Sequence, residues 1–227
     1  SKTVLANKPQ NSRSINLPID NSISDDGENV NTQNKENVKF SVNDKKNEIY
    51  SENFKRWFGD WENNPKKASK VVNADGTPKI MYHGSGADFT VFDKKKAKYS
   101  GTFGRGIYFT YSKSHAGTYG KLYEVYLDVK NPVDDKTKVT NQQLRNFLEA
   151  VAEDEDYSIE NYGTYDIDEI IPKINQDSLF TVLRDVSSTA IGDMVEATEL
   201  FNKVNGTNYD GIFSDTEYVV FKPNQIK

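Results

Sequence analysis

The sequence contains no cysteine. That excludes disulfides, thiolate-bound zinc and thiol nucleophiles. Histidine is nearly as scarce: only His83 and His115 occur. Two are too few for a histidine-rich metal site, so no metal is expected to take part. No apolar run approaches the length of a bilayer span, and no membrane partner is expected. The opening SKTVLANKPQ lacks the continuous apolar stretch of a secretory signal. It also lacks an initiator methionine, which reads as part of a larger polypeptide or a processed product. A formal net charge of −5 over 227 residues argues against a general nucleic-acid binder. Charged residues make up 28% and mean hydropathy is −0.77, so the chain is expected to be soluble.

What is present divides sharply. Residues 1–48 are rich in Asn, Ser, Asp and Lys and almost free of aromatics. Such a stretch buries too little apolar surface to offset its ordering entropy and reads as a disordered linker. Residues 49–227 read as one folded domain. Within SENFKRWFGDW, Phe54, Trp57, Phe58 and Trp61 fall at i, i+3, i+4 and i+7, which predicts an amphipathic helix capped by Ser51. NADGTP is a turn, and KIMYHGS follows as a strand. RGIYFT is a second strand; Ser112 or Ser114 then caps a short helix running to Tyr119, ended by Gly120. LYEVYLDV alternates as a half-buried strand. Residues 133–208 carry helical periodicity around an acidic stretch and read as a mostly helical insertion. YDGIFSD and EYVVFKP close the chain as strands, with a turn around Ser214 and Asp215. The order predicts an α+β fold.

Three places hold residues suited to chemistry. In EYVVF, Glu217 shares a strand face with Val219 and Phe221, so a carboxylate heads an otherwise apolar row. If that strand reached back two residues, Asp215 would join it as a second carboxylate. In MYHGS, His83 offers a neutral imidazole for hydroxyl recognition, and Gly84 lets a ligand approach the backbone. In GRGIYFTYSKSHAGTY, Tyr108 and Tyr119 stand eleven positions apart on adjoining elements and can wall a slot for a flat cationic ring. The approach glycines Gly101, Gly104 and Gly106 are read as admitting ligand and backbone closely. His115 shares a helix face with Tyr119. Taken singly, each of these is more commonly a packing residue.

Taken in order, the three segments resemble the ADP-ribosyltransferases of the diphtheria-toxin and poly(ADP-ribose) polymerase type, which use a His, a Tyr and a Glu on three strands. The wider pattern FKRWFGDW, GTPKIMYHGS, KNPV, YDGIF and EYVVFKPNQIK is similar to the domains of that activity in bacterial and phage polyvalent proteins. The resemblance covers Phe54 to Lys227, with the helical insertion unmatched. It implies a split β-sheet core carrying the insertion and the tail, with NAD as co-substrate and no metal. It implies that His83 bonds a ribose hydroxyl, that Gly84 binds the carboxamide through its backbone, and that Tyr108 and Tyr119 sandwich the nicotinamide ring. Glu217 would bind the ribose 2′-hydroxyl and stabilise the positive charge of bond cleavage. Family members of the polymerase type carry a helix serine that meets the carboxamide. Ala116 aligns there, with Ser114 or Ser85 as substitutes. An arginine-modifying relative would carry Arg where this chain has His83.

The implied activity is mono-ADP-ribosyl transfer to a macromolecule, protein favoured over nucleic acid, as a toxin or phage effector. The implied setting is the bacterial cytoplasm or a target cell. An NAD glycohydrolase needs the same donor site. Two further readings are a non-catalytic interaction module of a polyprotein and a two-carboxylate glycosidase built on Asp215 and Glu217. The basic run Lys94–Lys96 and Lys98 can meet NAD phosphates or a nucleic-acid acceptor, or simply form a solvated loop.

Overall fold

The computed structural model describes residues 48–96 and 101–227, which fall in one compact unit. The expected tail is outside these residues except for Glu48, and Lys98 is outside them too.

Helix α1 (Glu52–Phe58) begins where the Ser51 hydroxyl accepts the Phe54 amide, at 3.2 Å. It stops short of Trp61 because Gly59 takes φ 99°. Its Phe54 and Phe58 form a small core with Ile49, Ala68 and Tyr126. The indole N–H groups of Trp57 and Trp61 donate to the Asn224 and Ile49 carbonyls. These tryptophans fasten the two ends of the described chain, as the structural reading of an aromatic helix face requires.

Among the described residues, six strands form two sheets. β1 (Met81–Ser85) pairs antiparallel with β3 (Lys121–Val125), with His83 opposite Tyr123. The second sheet has the order β2 (Ile107–Phe109), β6 (Tyr218–Val220), β5 (Gly211–Phe213), β4 (Pro132–Val133). The β4–β5 pair is parallel and the others antiparallel. A bridge between Tyr82 and Thr110 joins the sheets, through reciprocal backbone bonds of 2.8 and 2.9 Å. This is the split sheet of an α+β domain.

Parallel neighbours need a long crossover, and residues 134–210 supply it. They carry α3 (Asn141–Glu153), α4 (Ile167–Ile170), α5 (Leu179–Val186) and α6 (Met194–Asn205). Thr140 with Gln143, and Ser178 with Thr181, form capping boxes; Gly206 at φ 64° ends α6. The apolar segment after Ser178 is not one helix. A π-turn at Ser187–Ile191 and a left-handed Gly192 separate α5 from α6.

The second sheet has a core on each face. Val219 and Phe221 pack with the helices, beside Leu148, Leu183 and Phe201. Val220 packs on the other side with Met81, Ile107, Phe109 and Leu127. The alternation predicted along EYVVF is therefore present, and it decides which way the residue ahead of it points.

Candidate active site

Glu217 precedes β6 at the end of a two-residue hairpin loop, Asp215–Thr216. The Ser214 amide donates to the Glu217 carbonyl at 2.9 Å, and the Ser214 hydroxyl accepts the Glu217 amide at 3.0 Å. The strand thus does not reach back to Asp215, which sits exposed in the turn. The expected two-carboxylate face does not form, because the chain must reverse there. Continuing the β2–β6 register one step sets Thr110 opposite Glu217 and Tyr108 diagonal to it. Glu217 is half-buried. It lines a pocket of about 210 Å³ with Thr216, Thr110, Tyr111, Ser112 and His115.

Tyr108 is anchored at its tip. Its hydroxyl donates to the Gly104 carbonyl at 2.8 Å and accepts the Phe103 amide at 2.9 Å. Burial pushes its phenol up to about 12, and the Glu217 and Asp193 carboxylates push the same way, while the Phe103 bond opposes them. The phenol therefore stays neutral at physiological pH and is not a base.

His83 connects the sheets. Its Nδ1 lies 2.8 Å from the Tyr108 carbonyl oxygen. A carbonyl only accepts, so the ring carries its proton on Nδ1, and in the neutral form Nε2 is left as an acceptor. Burial lowers its pKa, opposed by that bond, which favours the neutral form. Phe92, Phe109, Phe89 and Tyr123 surround the imidazole at centroid distances of 5.3, 5.6, 6.0 and 6.2 Å. His83 and Tyr108 are thus joined by a hydrogen bond, while Glu217 lines a pocket that neither of them lines.

The glycines allow the close approach expected of them, and what they admit here is protein. A Cβ at Gly101 would collide with the Tyr108 ring, at Gly104 with the Asp193 carboxylate, and at Gly106 with Val219. They admit protein atoms, so the loop can close over Tyr108 and onto the start of α6. At Gly84 a Cβ would strike the Ala116 carbonyl. That close approach seats helix α2 (Lys113–Gly117) against β1. Ser112 caps α2 through the His115 amide, and the helix ends before Tyr119 rather than running to it. Tyr119 is 60% exposed, and its ring meets His115 edge-on, centroids 5.5 Å apart. Of the two expected slot walls, Tyr108 is anchored by its hydroxyl and Tyr119 stands exposed beside His115. The Ser85 hydroxyl accepts the Ala87 amide, at 3.1 Å, and shapes the exit from β1.

His115, Tyr111 and Thr110 line the Glu217 pocket although sequence reasoning gave them no role. The i, i+4 placement of His115 and Tyr119 was the available signal. Lys95 and Lys96 are exposed, in a single 3₁₀ turn. A second depression, about 190 Å³, lies between α3 and α4 beside the Arg145–Asp168 ion pair; none of the expected site residues lines it. Among the described residues no helix is long and apolar enough to cross a membrane, and no three His, Asp or Glu side chains group as a metal site.

A family model described as ADP-ribosyltransferase in polyvalent proteins matches residues 73–227. No curated protein and no solved structure gives a significant match.

Proposed function

The chain belongs to the family of ADP-ribosyltransferases in polyvalent proteins, and from that premise we propose that it cleaves NAD at the nicotinamide glycosidic bond and transfers ADP-ribose to a macromolecular acceptor. The observation that carries this reading is the position of Glu217, half-buried in a pocket and one register step beyond the β2–β6 pairing, on the strand next to Tyr108, whose carbonyl holds His83.

The chemistry follows from the residues. Cleavage of a glycosidic bond passes through an oxocarbenium-like state. A fixed carboxylate aimed at that developing charge lowers the barrier without reorganising. Glu217 supplies it and can also accept the ribose 2′-hydroxyl. Nε2 of neutral His83 can accept a ribose hydroxyl. Tyr108, with its hydroxyl engaged by the loop, offers ring surface rather than a proton. Tyr119, Gly84 and Ser85 complete the nicotinamide side, with the exposed Tyr119 ring free to cover a cationic ring. The acceptor is read as a protein, and the setting as a toxin or phage effector within a longer polypeptide. An NAD glycohydrolase would use the same donor site, with water as acceptor.

The test is single-turnover nicotinamide release with labelled NAD, with and without a bacterial lysate. The wild-type chain should release nicotinamide and leave label on protein. Glu217→Gln keeps size and hydrogen bonding but removes the charge. It should fold normally and lose about 10²–10³-fold in rate with little change in NAD affinity. Wild-type rates in that variant would overturn the mechanism. Label ending wholly as free ADP-ribose would assign the glycohydrolase.

A further inference from the structure

The donor residues leave one step without a group. Transfer to a protic acceptor liberates a proton, and something must take it. Tyr108 cannot, because its phenol is neutral and its lone pair is engaged by the Phe103 amide. His83 has its Nδ1 bonded to the Tyr108 carbonyl, and its Nε2 is assigned to a ribose hydroxyl of the donor. Asp215, the other nearby carboxylate in sequence, sits exposed in the hairpin turn and does not line the pocket. Glu217 is already committed, since its catalytic value depends on remaining ionised beside the ribose.

One further proton acceptor lines the same pocket. His115 of α2 and Glu217, ahead of β6, both line it, together with Ser112 and Thr216. Gly84 fixes this arrangement by letting α2 approach β1 without a Cβ between them. The Tyr119 ring, edge-on at 5.5 Å, supports the imidazole from the side. Imidazole is the side chain best suited to exchange protons near neutrality.

We propose that His115 takes the proton from the attacking nucleophile, and that the acceptor is accordingly a proton-bearing group such as a hydroxyl, amine or guanidinium rather than a carboxylate. This rests on the transferase reading above. As the bond from C1 of the nicotinamide ribose to the ring nitrogen breaks, its electron pair neutralises the pyridinium, and nicotinamide leaves. A lone pair of the acceptor atom forms the new bond to C1. The acceptor's proton passes to His115, which releases it to water. The balance is NAD⁺ plus acceptor–H giving ADP-ribosyl acceptor, nicotinamide and H⁺. A carboxylate acceptor, already ionised, would give His115 nothing to do.

The experiment uses small nucleophiles in place of the acceptor. The full chain is incubated with NAD in the presence of methanol, which must lose a proton, and azide, which need not. Methyl ADP-riboside, ADP-ribosyl azide and nicotinamide are quantified together. In His115→Gln the methanol-to-azide product ratio should fall by about 10²-fold or more, the range expected for losing a positioned base. A melting curve checks that the variant is folded, and His115→Ala should give the same fall. A ratio unchanged from wild type would overturn the proposal, as would an equal loss of both products, because a merely structural histidine does not distinguish the two nucleophiles. Wild-type nicotinamide release in the same tubes separates the failures. If it is present while the ratio is unmoved, only the role of His115 falls; if it is absent, the transferase reading falls as well.

Discussion

His83 and Tyr108 are joined by a single hydrogen bond, yet the two respond to pH in opposite directions. Burial raises the phenol of Tyr108 and lowers the imidazole of His83. For His83 the unfolded chain titrates near the ordinary value of 6.5 and the folded chain below it. Between those two values the unfolded state holds the extra proton, so stability rises with pH there. The contribution is fully present above the unfolded value and is lost as pH falls through it toward the folded one. Unfolding free energy should therefore decline from about pH 7.5 to about pH 5.5, and His83→Gln should flatten that slope while lowering stability overall. Denaturant titrations at the two pH values measure it. Equal slopes in both proteins would show that the imidazole is not desolvated.

At the scale of elements, the loop carrying Gly101, Gly104 and Gly106 is held by a contact far away in sequence. Asp193 caps α6 through the Glu196 amide at 3.1 Å, and its other oxygen accepts the Arg105 amide at 2.8 Å. One carboxylate thus fastens both the insertion and the loop over Tyr108. Asp193→Ala removes the cap and strands a backbone amide. The expected cost is roughly 1–3 kcal/mol in a denaturant titration. Nicotinamide release should drop with it, since the Tyr108 hydroxyl relies on the same loop. A variant as stable as wild type would mean that the loop finds other partners. Much at this scale was legible locally. The alternation of EYVVF, the Ser51 cap and the helical period of residues 141–153 all follow from neighbours in sequence. What was not legible depends on partners distant in the chain. The glycines signalled close approach, but whether of ligand or of protein was decided by Asp193, Val219 and the Tyr108 ring. Two-residue β4 has too little pattern to be read, and its parallel pairing exists only because the insertion brings β5 back beside it. That His115 shares a pocket with Glu217 depends on the β5–β6 hairpin, more than ninety residues away in sequence.

For the whole molecule, the question is where the folded unit begins. The composition of residues 1–48 predicts that NAD binding does not need them, because they hold too little apolar surface to order themselves. The described residues sharpen that boundary. Ile49 is buried with Phe54, Phe58, Ala68 and Tyr126, and its carbonyl accepts the Trp61 indole N–H at 3.1 Å. Glu48 pairs with Lys227 at 3.6 Å, so the first described residue meets the last. Lys227 in turn sits over the Phe54 and Trp57 rings, 5.7 and 5.8 Å from their centroids. A chain beginning at Glu48 keeps all of these contacts. One beginning at Glu52 loses the Ile49 side chain, the indole acceptor and the Ser51 cap together. Burying an aliphatic side chain of that size contributes about 1.5–3 kcal/mol, and the cap about 1 more. The first truncation should therefore match the full chain in melting temperature, NAD affinity and nicotinamide release. The second should melt several degrees lower and retain NAD affinity only where it is folded. Loss of NAD binding in the first truncation would show that the tail takes part in the site. Equal melting of the two would show that Ile49 adds nothing to the core around α1.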